Sequence, residues 1–169
     1  DKLFFMNLLK LDSLLDYGCA DGNLIEHMQY NFPDVTYVGY DFNEKMINLA
    51  NNKKIPNSFF SFNLQEAKKH LVEKSGILCS SLIHEVYSYG STEQIEDFWK
   101  EIYSGDYTYV IIRDMALSQD SLDNNPLSLF SDISKVRNQA SKKHLEQFES
   151  VWGSIDDRKN LIHFLLKYR

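Results

Sequence analysis

Nine residues decide how this chain folds: Leu14-Leu15-Asp16-Tyr17-Gly18-Cys19-Ala20-Asp21-Gly22. They predict a short buried strand, a glycine turn and the start of a helix. Gly18 allows a turn that a side chain would disfavour, and Gly22 lets the helix backbone approach a ligand closely. Backbone N–H groups and a helix N-terminus then lie beside an open crevice. The stretch therefore predicts a ligand-binding turn at the end of a strand.

Strands and helices alternate outward from this stretch. The strand patterns cover residues 14–17, 35–40, 57–62, 76–82 and 107–112. The helical patterns cover residues 23–31, 43–52 and 65–74, a segment from Ser91 onward, and residues 132–140, 142–152 and 156–168. Such alternation is typical of a parallel sheet with right-handed crossovers. We therefore expect an α/β protein with a doubly wound, mostly parallel sheet and a helical C-terminal part.

Apolar spacing predicts one more helix and the composition of one buried helix face. Residues 2–11 carry apolar side chains at helical intervals, which indicates a helix before the first strand. The inward face of the helix at 43–52 is predicted to consist of Met46, Leu49 and Ala50. Residues 117–131 are polar and contain turn-forming residues, which predicts a loop.

Length and composition predict the general class of the protein. The 169 residues suit one domain spanning 1–169, with a core at about 12–115 and a helical segment at about 131–169. The sequence has no apolar run of about 18 residues and no signal-like segment, so no membrane partner is expected. Cys19 and Cys79 are too few for a disulfide framework, which predicts a cytoplasmic location.

The net charge of −6 is unevenly distributed along the chain. Residues 131–169 hold eight Lys and Arg against five Asp and Glu, a net charge of +3, so residues 1–130 carry −9. An acidic core gives no indication of nonspecific nucleic-acid binding. The basic segment is typical of solvated helix faces, and it would also suit an anionic substrate.

The chain resembles the class I (Rossmann-like) S-adenosylmethionine (SAM)-dependent methyltransferase family at four successive strand ends. The matching residues are Asp16, Gly18, Cys19, Ala20 and Gly22 in the first motif, Asp41 in the second, Asn63 and Leu64 in the third, and Ser81 after the fourth strand. Ala20 departs from the family, which often has a further glycine there. The resemblance covers about residues 12–115, and it implies that SAM is the cofactor and S-adenosylhomocysteine (SAH) the product.

The matching residues suit the parts of such a cofactor. Asp41 ends the second strand, where a carboxylate can accept hydrogen bonds from ribose hydroxyls, although it could also be a helix N-cap. Phe42 and Met46 suit one side of an adenine slot, although core packing is the simpler role for either. Asn63 could bind the adenine amino group. The resemblance implies a backbone contact from Ser81 to the amino group of the donor.

The acceptor side of the predicted site follows the fourth strand. His84 or Glu85 could act as a general base if the acceptor must lose a proton. Local structural roles explain both equally well: a hydrogen bond to a loop for His84, and a charge at a helix start for Glu85. Arg113 and Asp114 end the fifth strand, where they could contact a substrate or simply pair with each other. Holding methyl and acceptor in line can supply most of the rate, so no strong base is mandatory.

Two alternative functions stay open. A relative without catalytic activity could keep the pocket as a SAM-binding module. An NAD-dependent oxidoreductase would need glycines at positions 20 and 23, where this chain has Ala20 and Asn23. No metal site is expected, because the histidines are scattered. The methyl acceptor, whether small or macromolecular, and the oligomeric state are not indicated by the sequence.

The resemblance also makes an expectation about the end of the sheet. In the family the sheet usually ends in a sixth and a seventh strand. Residues 131–169 have helical patterns instead. We therefore expect those two strands to be replaced or to lie beyond Arg169, so that the domain is truncated.

Overall fold

A computed structural model describes residues 3–114 and 126–168. In these residues five strands are formed: β1 Ser13–Tyr17, β2 Thr36–Tyr40, β3 Ser58–Ser61, β4 Ser75–Ser80 and β5 Tyr109–Arg113. The α-helices of the described residues are α1 Asn23–Asn31, α2 Glu44–Asn52, α3 Leu64–Lys68, α4 Ile83–Tyr89, α5 Thr92–Ser104, α6 Pro126–Gln139, α7 Lys142–Trp152 and α8 Arg158–Lys167.

The strands form one parallel sheet in the order β3-β2-β1-β4-β5. Leu15 of β1 lies opposite Val38 of β2 on one side and Ile77 of β4 on the other. From β1 the chain continues outward to β2 and β3 on one side. It then crosses to the other side of β1 and forms β4 and β5. Crevices at the carboxyl ends of strands open where the order reverses in this way. The predicted doubly wound α/β fold is confirmed, with β1 and β4 flanking the reversal.

Alternate residues of the strands face opposite layers of helices. On one face Leu14 and Tyr37 pack in a core with side chains from α1 and α2, such as Met28 and Ile47. On the other face the strand side chains pack in a second core with α3 and α5. That second core is formed by Leu15, Val38, Ala67, Ile77, Cys79, Phe98 and Ile102. Burial on both faces explains why the central strands carry so few charges.

Some local predictions differ from the structure. A 3-10 helix, Phe4–Asn7, replaces the longer helix expected at residues 2–11. In α2 the buried residues are Ile47 and Ala50, whereas Leu49 is 52% exposed and was wrongly placed inward. Ile47 and Ala50 are three residues apart and share a face, and Leu49 points to another side of the helix because each residue turns about 100°.

Two further boundaries also differ. The helix expected at residues 65–74 ends at Lys68, and α4 forms a separate helix in the segment after β4. The predicted loop at 117–131 lies outside the described residues as far as 125, and its remainder belongs to α6, which begins at Pro126. Proline suits a helix start because the first N–H groups of a helix have no intrahelical partner.

The chain divides into two compact units. One contains the five described strands, and the other contains α6, α7 and α8 together with Tyr87–Tyr89, the last residues of α4. The helical unit has its own core. Its buried members are Ile133, Leu145, Phe148, Ile155, Leu161 and Phe164. The expected helical C-terminal part is thus confirmed, and the described residues contain no sixth or seventh strand. None of the described helices is long and apolar enough to cross a membrane.

Candidate functional site

The glycine turn is attached to the end of β2. The Gly18 and Cys19 N–H groups both donate to the Tyr40 carbonyl, at 2.8 and 2.9 Å. Gly18, Ala20 and Gly22 have left-handed backbone angles, with φ of +87°, +47° and +74°. A side chain in this region costs about 1–2 kcal/mol, which Ala20 bears and the two glycines avoid. The alanine at position 20 is therefore accommodated in the turn at the price of local strain, which proteins often retain at functional sites.

Both glycines of the turn are required by packing. A Cβ atom on Gly22 would lie 2.9 Å from Cε1 of Phe60, and one on Gly18 would lie 2.8 Å from Cδ1 of Leu82. The space beside Gly22 is thus filled by an aromatic ring of β3. Gly22 therefore lets α1 pack closely against β3. The close approach of the Gly22 backbone to a ligand stays a prediction.

Asp41 connects the end of β2 to the glycine turn. Its Oδ2 atom accepts from the Ala20 N–H group and its Oδ1 atom accepts from the Asn43 N–H group, both at 2.9 Å. The N-cap of α2 is Asn43, whose side chain accepts from the Lys45 N–H group at 3.1 Å, so the N-cap alternative for Asp41 is wrong. Each carboxylate oxygen has a second lone pair, which a ribose hydroxyl could use.

Asp16 is a buried carboxyl group beneath the turn. It is 2% exposed. Burial, followed by the nearby Asp41 carboxylate, raises the pKa of Asp16 to about 7. No hydrogen bond from the described residues reaches its carboxyl group. A cationic ligand group beside Asp16 would favour the ionised carboxylate, and a neutral or anionic one would not.

Two exposed aromatic side chains lie at the edge formed by β2 and β3. Tyr40 and Ser61 are paired at the ends of these strands. Phe42 and Phe62 follow them and are 85% and 55% exposed. The alternative interpretation, that Phe42 packs in the core, is therefore wrong. Phe62 was missed in the sequence, where the available signal was an aromatic residue directly before Asn63 at a strand end.

The other predicted adenine residues lie nearby in the chain and are partly buried. Met46 is half-buried on α2, and Leu64 packs against the core shared by α3 and α5. Asn63 is the N-cap of α3, with Oδ1 accepting from the Gln65 and Glu66 N–H groups at 2.9 and 3.2 Å. A contact with the adenine amino group also needs an acceptor and so would compete with this cap.

Ser81 follows β4 in a left-handed conformation, with φ of +57°. Its N–H group donates to the Arg113 carbonyl at 2.7 Å. The Arg113 guanidinium donates in turn to the hydroxyls of Ser80 and Ser81, at 2.8 and 3.0 Å. Arg113 therefore joins the carboxyl ends of β4 and β5, and it does not pair with Asp114 as one interpretation had it.

His84 pairs with Asp114 in the structure. The Nδ1 atom of His84 lies 2.6 Å from Oδ1 of Asp114, and the two side chains are 14% and 10% exposed. Glu85 is more exposed, and its Oε1 atom lies 3.9 Å from Nε2 of His84. The structure thus brings His84 and Glu85, both predicted from the sequence, to the same helix start. The role of Asp114 as the partner of His84 was not foreseen.

The two thiols do not suit nucleophilic or metal chemistry. Cys19 and Cys79 are buried free cysteines, and burial raises the pKa of each thiol. Among residues 3–114 and 126–168, no group of three or more His, Cys, Asp or Glu could hold a metal ion. The chemistry of the site therefore depends on its carboxylates, its backbone groups and His84.

The glycine turn, Asp41 and the strand order agree with one family of proteins. Residues 2–165 match the family model described as "Methyltransferase domain". The chain belongs to this methyltransferase family. No curated protein matches the chain.

Several solved structures are similar to this chain. The plantazolicin methyltransferase BpumL, in complex with SAH, superposes with a TM-score of 0.51 at 15% identity, covering 98% of this chain and 59% of that one. PKMT2 from Rickettsia typhi, in complex with AdoHcy, gives 0.49 at 18% identity, covering 94% and 29%. WbdD gives 0.43 at 18%, covering 72% and 28%. This methyltransferase domain thus spans from about a quarter to three fifths of these longer chains.

Proposed function

We propose that this domain binds SAM at the carboxyl ends of β1, β2 and β4 and transfers its methyl group to an acceptor, leaving SAH. The observation that carries the proposal is the pair of carboxylates at the glycine turn of a methyltransferase family member: Asp41 bonded to the turn and Asp16 buried beneath it. The SAH held by BpumL, whose fold this chain shares, supports the same ligand.

The residues of the site fit the chemical parts of SAM. Asp41 would accept hydrogen bonds from the ribose hydroxyls through its remaining lone pairs. Asp16 is a buried carboxyl group without a hydrogen-bonded partner among the described residues, which suits the cationic amino-acid end of the ligand. The exposed rings of Phe42 and Phe62 would cover the adenine, together with Met46.

The remaining predicted contacts complete the proposed cofactor site. Backbone groups of the turn, at Gly18, Cys19, Ala20 and Gly22, would face the ligand. The Ser81 backbone would contact its amino group, and Asn63 with Leu64 would lie at the adenine edge. All of these residues belong to the unit that contains the sheet.

Methyl transfer requires mainly positioning from the protein. SAM supplies a methyl group on a positively charged sulfur, which is reactive without further activation by the protein. The turn and Asp41 would fix the donor, and the start of α4 would face the acceptor. Holding the two in line at near-attack distance can contribute about 7–11 kcal/mol to lowering the barrier. His84 and Glu85 are the proposed proton acceptors for a substrate that must lose a proton.

Calorimetric titration of the isolated domain tests the proposal. SAM and SAH are expected to bind, whereas NAD is not, because Ala20 and Asn23 replace two glycines of the dinucleotide pattern. Circular dichroism on the same sample shows that the protein is folded. Absence of SAH binding by folded protein at saturating ligand would contradict the proposal. SAH binding without methyl transfer to any acceptor would instead favour a SAM-binding module.

The proposed cytoplasmic location rests on the cysteine content alone.

A further inference from the structure

Arg113 is bonded to the end of β4 through both its backbone and its side chain. It lies opposite Ser80 in the pairing of β4 with β5, and Ser81 directly follows β4. Nη1 of Arg113 donates to the Ser80 and Ser81 hydroxyls at 2.8 and 3.0 Å. The Arg113 carbonyl accepts from the Ser81 N–H group at 2.7 Å. The guanidinium is therefore held at the carboxyl edge of the sheet, within the unit that contains the strands.

One edge of the Arg113 guanidinium has no partner in residues 3–114 and 126–168. A guanidinium has five N–H donors, and both serine bonds come from Nη1. No described carboxylate forms an ion pair with Arg113, and no described acceptor bonds its Nε or Nη2. The Nε–H and Nη2–H groups share one edge, and together they match two oxygens of a carboxylate or a phosphate.

The acidic residue next to Arg113 is bonded to other groups. The Asp114 carboxylate accepts from the Ile83 and His84 N–H groups at 2.6 and 3.3 Å. Its second oxygen lies 2.6 Å from Nδ1 of His84. Asp114 is thus directed at the start of α4, and it leaves the charge of Arg113 without a direct carboxylate partner.

The proposed methyl donor adds a second positive charge near this guanidinium. The Ser81 backbone is the proposed contact for the amino group of SAM, and Nη1 of Arg113 lies 3.0 Å from the Ser81 hydroxyl oxygen. Two neighbouring cations repel each other, and an anion that contacts both offsets the repulsion. The charges at this edge of the sheet therefore favour an oxyanion beside Arg113.

We infer that Arg113, together with the hydroxyls of Ser80 and Ser81, forms a binding site for an oxyanion, a carboxylate or a phosphate group. Arg113 binds this group through Nε and Nη2. The two serines are positioning residues, because their hydroxyls hold Nη1 and orient the other edge of the guanidinium.

Two ligands of the proposed function carry a group of this class. The methyl acceptor is one source, and the carboxylate of SAM itself is the other. The existence of the oxyanion site does not depend on methyl transfer, whereas the assignment of the oxyanion to either ligand rests on the proposed function.

Nitrogen-15 NMR of the arginine side chains tests the site directly. Phenyl phosphate and benzoate are added to the wild-type protein, with benzamide as an uncharged compound that has the same ring. We expect the two anions, but not benzamide, to shift the Nε–H signal of Arg113. That signal is assigned by its absence in Arg113→Lys. Arg137, which is paired with Glu149 and Asp156, is the internal reference.

The same titration of SAH-loaded protein shows which ligand supplies the oxyanion. If the site belongs to the acceptor, bound SAH leaves it open and the anions still shift the Arg113 signal. If the site belongs to the carboxylate of SAM, bound SAH occupies it and the anions have no further effect. Decarboxylated SAH, which keeps the amino group, then leaves the response to the anions intact.

Calorimetric titration of Arg113→Gln is the second test. We expect a loss of affinity of about tenfold or more for the ligand that carries the oxyanion, either SAH or phenyl phosphate, and no change for decarboxylated SAH. Arg113→Lys should keep part of the affinity, because an ammonium group has the charge but not the planar pair of donors. Lys100→Gln is the matched charge control, since Lys100 is exposed on α5 and has no ion pair in the described part of the chain.

The outcomes separate this inference from the proposed function. The inference is overturned if neither anion shifts the Arg113 signal, with or without SAH, and folded Arg113→Gln binds SAH as tightly as wild type. A shift of equal size with benzamide also overturns it, because the site would then not select a charged group. Folded protein that binds no SAH contradicts the proposed function, and the response of Arg113 to phenyl phosphate still decides whether the oxyanion site exists.

Discussion

Asp16 and Asp41 are two carboxylates with different environments at one turn. Asp41 is bonded to two backbone N–H groups, whereas Asp16 is buried and its pKa is raised to about 7 by burial and by Asp41. A buried carboxyl group of this kind is unfavourable for stability once it is ionised. The proposed cationic ligand would supply the missing opposite charge, which would account for the retention of this carboxyl group beneath the turn.

Asp16→Asn is expected to gain stability relative to wild type as the pH rises. The folded-state pKa of about 7 lies above the ordinary value of 3.8. From about pH 4 until about pH 7 the wild-type protein therefore loses free energy of unfolding, because the unfolded chain releases a proton that the folded protein still holds. Asparagine cannot ionise. The difference between variant and wild type should shift by about 3 kcal/mol in favour of the variant between pH 5 and pH 8.

Urea unfolding at the two pH values measures this difference. The variant is also expected to bind SAH more weakly, because the carboxylate that would face the cationic amino group is lost. An equal difference in free energy at pH 5 and pH 8 would show that Asp16 is already ionised at pH 5 in the folded protein, so that its pKa is not raised.

Asp41→Asn is expected to weaken SAH binding at least tenfold, or about 1.4 kcal/mol. The amide keeps one oxygen for the turn but loses the charge and one acceptor that the ribose hydroxyls would use. Asp34→Asn is the matched control, because Asp34 is exposed and precedes β2 at the opposite edge of the sheet. Calorimetric titration measures both. An unchanged affinity for SAH in Asp41→Asn would show that Asp41 does not contact the ligand and only stabilises the turn through its hydrogen bonds.

At the scale of elements, the glycine turn joins three strands through backbone contacts and packing. Two N–H groups of the turn donate hydrogen bonds to the carbonyl at the end of β2. The Phe60 ring of β3 packs beside Gly22, and the Leu82 side chain after β4 packs beside Gly18. The turn is thus held by the sheet on several sides. A preformed turn reduces the ordering cost of ligand binding.

Gly22→Ala is expected to destabilise the protein by more than the left-handed backbone alone accounts for. The φ of +74° costs about 1–2 kcal/mol for alanine, and the added methyl would lie 2.9 Å from Phe60. The same substitution in a Phe60→Leu background isolates the backbone cost, since Cε1 and Cζ of Phe60 are the atoms that the added methyl would meet. Urea unfolding compares the two variants. Equal losses would show that Phe60 moves aside freely.

At the scale of the whole molecule, the two units have separate hydrophobic cores. The strands and their helices bury two clusters, and α6, α7 and α8 bury a third. Within the helical unit, Arg137 bonds to Glu149 at 2.9 Å and to Asp156 at 3.1 Å. Units with separate cores can unfold separately.

Scanning calorimetry is therefore expected to resolve two transitions with different responses. SAH at about 100 times its dissociation constant should stabilise the sheet-containing unit by about 2.7 kcal/mol and raise its melting temperature. Arg137→Ala should lower the other transition, because the variant loses the ion pairs of Arg137 with Glu149 and with Asp156. A single transition that moves with both changes would show that the two units unfold together.

The sequence by itself determined the doubly wound fold and the positions of the glycine turn and Asp41. These features follow from strand and helix periodicity and from residues that end strands, which are local properties of the chain. Element boundaries were less predictable: in α2, Ile47 rather than Leu49 turned inward because the helix phase is set by packing on the sheet.

Only the tertiary structure decided which side chains meet at the site. The pairing of Asp114 with His84, the bond from Ala20 to Asp41 and the filling of the Gly22 space by Phe60 join residues that are 21–38 positions apart. No local pattern encodes such partners, because they depend on strand order and on the register between β4 and β5. The physical reason is that hydrogen bonds and packing act over a few ångströms in space, whatever the separation along the chain.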